Sequence, residues 1–372
     1  MANQGFSGIL NEDKLGCERT FSPIDTLSPP HRQRADTHTP TAGWFDHPRD
    51  LLYMINTFRM PRPMIGIGHS IGGNALVNLS LMHPRLLDTL VLIDPVFAPL
   101  KKAADEWGVA GEWGVLAASA FRRDKWPSRE AAAKGFKKNK FWSDWDPRVF
   151  DLWIKYGLRE TPTKIYPTAP ATASQKSNQT SANATATATA KEVTLSTTKH
   201  QEIFSFSRFY PSKPRPTDPP DSLLHPEARM YTNHGTPAPF YRAEAHITFN
   251  NLPHLRPSVL YIFGETSDLT PLRESKMATT GIGEIGSGGV AKGMVEDIMV
   301  MGTGHLIPME KVGETARHSA RWVGKWYKGW VEGEEKLRRY WAQVPEREKY
   351  MLGKDYFDAL RPPGDRREIS KL

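Results

Sequence analysis

The chain has 372 residues, a formal net charge of +8 and a single cysteine, Cys17. One cysteine excludes an internal disulfide framework and any zinc site built from several cysteines. Because 39% of the residues are hydrophobic, the sequence can bury a sizeable core, which excludes global disorder, collagen and coiled coil. The positive charge is spread out and has no nucleic-acid recognition pattern, so we expect no nucleic-acid partner. No apolar run reaches the ~18 residues that a transmembrane helix needs.

The clearest secondary-structure pattern lies between residues 45 and 96. HPRDLLYMINTF has apolar residues at helical spacing, and PRPMIGIGHS is typical of a short buried strand. IGGNALVNLSLMHP then predicts a helix and LLDTLVLIDPVF a second strand. This α–β–α–β order is typical of a parallel sheet with crossover helices. The α/β pattern resumes with predicted strands at 257–265 and 294–302 and closes in a long helix or helix pair.

The residues between the two α/β stretches have a different composition. They are helical in pattern, basic and rich in tryptophan, and they include a Thr/Ala/Ser tract that cannot bury a core. The predicted organisation has five segments, namely an irregular N-terminal segment (1–43), an α/β core with the nucleophile turn (44–96), a helical cap (97–252) with a low-complexity insertion at about 168–192, the C-terminal part of the core (253–331), and a helical extension ending in a targeting tail (332–372).

The residues Gly68-His69-Ser70-Ile71-Gly72 match the pattern G-x-S-x-G. They follow a predicted strand and precede a predicted helix, which is the context of a nucleophile elbow. Glycines on either side of the serine let strand and helix approach closely. The helix N-terminus points N–H groups at a developing oxyanion, and the N–H of Ile71 is one expected donor. The pattern therefore predicts Ser70 as a nucleophile.

A serine nucleophile needs a base, and the base needs a carboxylate that orients it. His305, in GTGHLIPME, lies between the last predicted strand and the last helix, and we expect it to be the base. Two residues compete for the acid. Asp268 follows the strand at 257–265 and fits the chain order Ser…Asp…His, and it is preferred. Asp94, which ends the strand after the nucleophile helix, remains the alternative.

The last three residues are Ser370, Lys371 and Leu372. A C-terminal S-K-L is read by the peroxisomal import receptor, and the polar segment before it predicts an exposed tail. The N-terminus has neither the basic nor the apolar region of a secretory signal. We therefore expect a peroxisomal protein that binds this receptor.

The motifs GIGHSIGG, VLIDPV, PSVLYIFGE, SDLTP and GTGHLIP together resemble the α/β-hydrolase superfamily. With TTKHQEIF and the final SKL, the chain is similar to a fungal group of peroxisomal hydrolases known as toxin-biosynthesis or lipase-like proteins, which includes the hydrolase of the AK-toxin cluster. The resemblance implies an α/β-hydrolase fold, a mostly parallel sheet with a helical cap. It also implies a serine hydrolase with Ser70 as nucleophile, His305 as base and Asp268 as acid.

The sequence before Trp44 departs from that family. It is too short and too polar to hold the usual first strands, and it lacks the His-Gly loop that supplies a second oxyanion donor. We therefore expect the first strands of the sheet to be absent, as in a truncated gene model that retains an intron at 18–43.

The motifs predict a hydrolase without cofactor or metal that works through an acyl-Ser70 intermediate, and the resemblance implies a fatty-acyl or polyketide-like ester or thioester as its substrate. The resemblance implies that this hydrolase works in lipid metabolism or in fungal secondary-metabolite biosynthesis. We expect the Trp-rich cap to form the pocket for the acyl group. Two alternatives stay open, an acyltransferase that uses the same triad and a truncated non-catalytic remnant.

Overall fold

A computed structural model describes residues 43–99, 114–167, 191–209, 232–233, 236–237 and 240–361. Several expectations fall outside these ranges. They concern the irregular N-terminal segment with its intron and missing first strands, most of the low-complexity insertion, and the S-K-L tail.

The first part of the core has the predicted α–β–α–β order. It consists of helix α1 (Asp46–Phe58), strand β1 (Ile65–His69), helix α2 (Ile71–Met82) and strand β2 (Thr89–Ile93). All five residues of β2 are buried, as expected of a continuous apolar run in the middle of a parallel sheet.

The segment between the two parts of the core contains short helices and strands. In chain order they are α3 (Gly114–Phe121), β3 (Lys125–Trp126), α4 (Arg129–Phe136), α5 (Lys140–Ser143), α6 (Pro147–Tyr156), β4 (Leu158–Glu160), β5 (Val193–Leu195), α7 (Lys199–Phe206), β6 (Arg208–Phe209), β7 (Thr232–Asn233), β8 (Thr236–Pro237) and β9 (Phe240–Tyr241). β3, β5 and β4 form a small antiparallel sheet, which the sequence analysis did not predict. This segment has a hydrophobic cluster of its own, separate from that of the central sheet. Trp142, Trp145 and Trp153 pack against it.

The second part of the core follows this segment. It contains α8 (Ala243–Asn251), β10 (Ser258–Gly264), α9 (Arg273–Thr279), β11 (Val295–Val300), α10 (Ile307–Glu310), α11 (Val312–Gln343) and α12 (Lys354–Leu360), with 3₁₀ turns at Leu252–His254, Thr270–Leu272, Val290–Lys292 and Glu346–Tyr350. α8 lies in the predicted cap, yet it is hydrogen-bonded to α2 of the core. Asn78 Nδ2 on α2 donates to Thr248 Oγ1 on α8 at 2.8 Å.

The central sheet has the strand order β1-β2-β10-β11, and all three pairings are parallel. β10, like β2, is buried along its whole length. A cluster of buried apolar residues joins β2, β10 and β11 to α1, α2 and α8. Since all four strands run the same way, their carboxyl ends share one edge of the sheet, and that edge is where ligands bind in open α/β sheets.

The chain divides into two compact units, residues 1–320 and 321–372, and the boundary falls within α11. Every residue discussed below belongs to the first unit, apart from the three C-terminal residues of the targeting tail. Within the ranges described above, no helix is both long and apolar enough to cross a membrane.

Candidate active site

The segment after each strand of the central sheet contributes a polar side chain to the same edge. Ser70 directly follows β1, and Asp94 directly follows β2. Ser267 comes after β10, and His305 comes after β11. His69 pairs with Ile93 in the register of β1 and β2, so Ser70 and Asp94 leave the sheet at the same level.

Ser70 occupies a sharp turn between β1 and α2. Its backbone angles are φ 56° and ψ −123°, a conformation that residues other than glycine rarely adopt and that stores strain. Its N–H donates to the carbonyl of Ile93 at 3.0 Å. An added Cβ at Gly68 would lie 2.7 Å from the carbonyl of Gly72, so the turn closes only with glycine there. The predicted nucleophile elbow is therefore present in its geometry.

Ser70, His305 and Asp94 form one hydrogen-bonded chain. With the proton on Nδ1, His305 donates to Asp94 Oδ2 at 2.6 Å. The Ser70 hydroxyl lies 2.9 Å from Nε2 of the same ring, to which it donates. Asp94 is fully buried, whereas the His305 side chain is 35% exposed. This arrangement can take the proton from Ser70 and hold the imidazole in the required tautomer.

The structure disagrees with the preferred assignment of the acid. Asp94, the alternative, bonds to His305, while Asp268 is exposed. The turn after β10 explains the difference. The N–H of Ser267 donates to Gly264 O at 3.2 Å, and its carbonyl accepts from Thr270 N at 3.0 Å. This turn buries Ser267 and leaves Asp268 outside.

Sequence reasoning missed Ser267 altogether. Its hydroxyl donates to Oδ2 of Asp94 at 2.5 Å, so Oδ2 accepts from two donors. The other oxygen, Oδ1, is buried and has no hydrogen-bond partner in the part of the chain that the structure describes. Nothing in ETSDL distinguishes this serine from an ordinary turn residue.

The loop that carries His305 is held from two sides. Nε2 of His69 donates to the carbonyl of His305 at 2.8 Å. Burial, and then the charge of His305, lower the pKa of His69 to about 4, so His69 is neutral at neutral pH and donates from Nε2. On the other side, Gly264 is so close that an added Cβ would lie 2.8 Å from the carbonyl of Thr303.

Ile71, which the sequence predicts as the first oxyanion donor, lies at the helix N-terminus. Ile71 is the first residue of α2, so its N–H has no acceptor within the helix and is free to face a developing oxyanion. The loop that would supply a second donor is expected to be missing from the sequence before Trp44, and residues 1–42 lie outside the described ranges. Among the residues with assigned positions, no group of three His, Cys, Asp or Glu side chains could hold a metal ion.

Comparison with known proteins identifies close relatives by sequence. The chain is 33% identical over 368 residues to the type I acyl-CoA thioesterase mpaH of Penicillium roqueforti, covering 97% of this chain and 76% of the relative. To mpaH of Penicillium brevicompactum it is 33% identical over 333 residues, or 87% and 68% of the two chains. To the abhydrolase domain-containing protein ACTT2-1 of Alternaria alternata it is 27% identical over 270 residues, or 72% and 85%.

No protein-family model matches the sequence. Among solved structures, the peroxisomal α/β-hydrolase Lpx1 of Saccharomyces cerevisiae superposes with a TM-score of 0.47 at 13% identity, covering 86% of this chain and 68% of that one.

Proposed function

The chain belongs to the α/β-hydrolase family that contains the type I acyl-CoA thioesterase mpaH, and we propose that it is a serine hydrolase that cleaves an acyl thioester through an acyl-Ser70 intermediate. The observation that carries the proposal is the unbroken chain of hydrogen bonds from Ser70 through His305 to Asp94. A nucleophile, a base and an orienting acid at these distances are what acyl transfer to a serine requires.

Acylation begins when Ser70 Oγ attacks the carbonyl carbon of the substrate and its proton passes to Nε2 of His305. Asp94 Oδ2, bonded to Nδ1, stabilises the imidazolium that forms. The tetrahedral oxyanion accepts a hydrogen bond from the N–H of Ile71. When the intermediate collapses, the C–S bond breaks, and the thiol leaves with the proton that His305 returns.

Deacylation repeats the same steps with water. His305 removes a proton from a water molecule, the resulting hydroxide attacks the acyl-Ser70 carbonyl, and the tetrahedral intermediate releases the carboxylic acid. Ser70 recovers its proton from His305. The atoms and protons of the reaction balance with the groups of this chain and one water molecule.

The proposed substrate is a fatty-acyl or polyketide-like thioester, above all an acyl-CoA, in fungal secondary metabolism. The names of the relatives support this choice, since several are acyl-CoA thioesterases. An apolar acyl group also suits a cap with exposed apolar side chains, among them Phe121, Phe141 and Leu152. A thioester is a good substrate for a serine nucleophile because its thiolate leaves readily.

Labelling with a fluorophosphonate, which reacts only with an activated serine, tests the catalytic assembly. We expect the protein to be labelled and Ser70→Ala to remain unlabelled. Release of free CoA from acyl-CoAs of increasing chain length then tests the substrate class. Labelling that persists in folded Ser70→Ala would contradict the assignment of Ser70 as the nucleophile. Labelling of the unsubstituted protein without release of CoA from any acyl-CoA would contradict an acyl-CoA thioester as the substrate.

We further propose that the protein works in peroxisomes, on the basis of Ser370, Lys371 and Leu372. A fluorescent protein fused before residue 1 leaves this tail free. We expect the fusion to colocalise with a peroxisomal marker and to become diffuse when Leu372 is deleted. A diffuse signal from the intact fusion would contradict the proposed location.

A further inference from the structure

A lysine lies inside the core, next to the acid loop, residues 94–96, which directly follow β2. Lys276, on α9, is fully buried. Its Nζ donates to the carbonyl oxygen of Pro95 at 2.7 Å. The same Nζ lies 5.2 Å from the ring centre of Phe97 and 5.7 Å from that of Phe263, within the range of cation–π attraction. The proposed catalytic steps do not use this residue.

Filling of the core does not account for Lys276. Burial of an ammonium group costs folding free energy, whereas methionine, of similar length, would pack here without that cost. The pKa of Lys276 is lowered to about 7 by burial, and the negative charge of Asp94 opposes this shift. Lys276 therefore carries its positive charge at and below about neutral pH, where it acts on the buried carboxylate of Asp94.

The acid loop is held at three successive residues by three different elements. Asp94 N–H donates to Ile262 O on β10 at 2.8 Å. Val96 N–H donates to Ser70 O at 3.2 Å, and its carbonyl accepts from Asn74 on α2 at 3.0 Å. Pro95 has no N–H, so its carbonyl is its only backbone hydrogen-bonding group, and Lys276 holds it.

We propose that Lys276 is a positioning residue, whose ammonium group holds the Pro95 carbonyl and balances the buried Asp94 carboxylate so that Asp94 keeps His305 in place. The inference rests on the proposed function, because it gives Lys276 a role through the proposed acid. Asp94 has φ 41°, in the left-handed region, so its backbone needs support from its neighbours. Lys276 is the side chain that fixes the residue directly after it.

The test is a double-mutant cycle on purified full-length protein, with decanoyl-CoA hydrolysis as the measured reaction. We expect Lys276→Met to lower kcat by about 10- to 100-fold, the range for a misplaced catalytic group. KM should stay within about twofold, since Lys276 acts through Asp94 and not on the substrate. In an Asp94→Asn background the same change should alter kcat by less than about threefold, because two residues that act through one another are not additive.

Thr280→Val is the matched control, because Thr280 is equally buried just beyond α9. Its hydroxyl bonds Tyr261 and the backbone carbonyl of Lys276, and neither bond involves the Lys276 ammonium group or the acid loop. This variant should retain kcat. An unchanged kcat in folded Lys276→Met would overturn the inference, and so would equal losses from Lys276→Met in the unsubstituted protein and in the Asp94→Asn background. Should Lys276→Met not fold, Lys276→Gln, which keeps a donor and removes the charge, takes its place with the same expected coupling.

A substrate-free measurement separates failure of this inference from failure of the proposed function. The proton on Nδ1 of His305 gives a downfield NMR resonance when it is bonded to a carboxylate. We expect this resonance to shift or broaden in Lys276→Met and to be unchanged in Thr280→Val. An unaltered resonance in Lys276→Met would refute the positioning role, whether or not decanoyl-CoA is a substrate.

Discussion

Ser267 donates a hydrogen bond of 2.5 Å to Oδ2 of Asp94. The same oxygen accepts the hydrogen bond from Nδ1 of His305. The serine follows β10 and the aspartate follows β2, so the bond joins the ends of two neighbouring strands. Two donors on one oxygen fix the direction of the carboxylate toward the histidine. Both donors come from the side of β2 on which β10 and β11 lie.

The choice between the two carboxylates can be tested directly. Asp94→Asn should lower kcat by roughly 10³- to 10⁴-fold, because the amide no longer holds the required tautomer of His305. Asp268→Asn should leave kcat nearly unchanged, since Asp268 is exposed. Steady-state hydrolysis of an acyl-CoA by both folded variants gives the comparison. The reverse ranking would restore Asp268 as the acid.

Removal of the Ser267 hydroxyl should have a smaller effect. Ser267→Ala takes one of two donors from Asp94 Oδ2, and a hydrogen bond to a charged group is worth about 1.5–3 kcal/mol. We expect kcat to fall by about 10- to 100-fold while KM stays constant. Ser275→Ala is a suitable control, because the Ser275 hydroxyl donates to Leu272 O, away from the acid. A loss confined to KM would argue against orientation of the acid.

Gly264 sets how close β10 comes to the histidine loop. In Gly264→Ala the new Cβ would press against the carbonyls of Thr303 and Gly304, and the loop would have to move together with His305. We expect fluorophosphonate labelling to slow by about 100-fold, the cost of a shift of about 1 Å in a catalytic group. Gly313→Ala, at a site with open space for a Cβ, should label normally. Equal labelling of both variants would contradict this account.

Lys276 also predicts a pH dependence of stability. Its pKa is about 7 in the folded protein, below the ordinary value of 10.5, so the unfolded chain binds more protons between these values. Stability should therefore rise with pH from about 7 to about 10.5, by at most about 1.4 kcal/mol per pH unit. Lys276→Met should lose this slope, and Lys292→Met, at an exposed lysine, should keep it. Urea unfolding at several pH values measures all three, and parallel slopes would disprove the prediction.

Much of the fold could be predicted because its strands are continuous apolar runs. The runs ending at His69, Ile93, Gly264 and Val300 all form parallel strands close to their predicted bounds. The small sheet of β3, β4 and β5 could not be predicted in this way. Its strands have only two or three residues, too few for an alternating pattern to emerge.

The proposed nucleophile and base could be found from local patterns, but the acid could not. Ser70 lies in a five-residue motif, and His305 lies between the last strand and helix. The order Ser…Asp…His, however, is satisfied by Asp94 as well as by Asp268. What separates them is which strand lies beside β1, and strand order is a long-range property. The sequence carries only a weak signal for Lys276. It is a charged residue four positions from Leu272 and four from Thr280, both of which are buried.

The placement of the proposed acid directly after β2 has a consequence for how this enzyme can evolve. The turn after β10 contributes a hydroxyl and no carboxylate, so substitution of Asp268 would leave the proton relay intact as long as Ser267 keeps its place. The exposed part of this turn is therefore free to change its sequence as substrates change. In this protein, specificity can diversify at the rim of the sheet while the reaction is inherited unaltered.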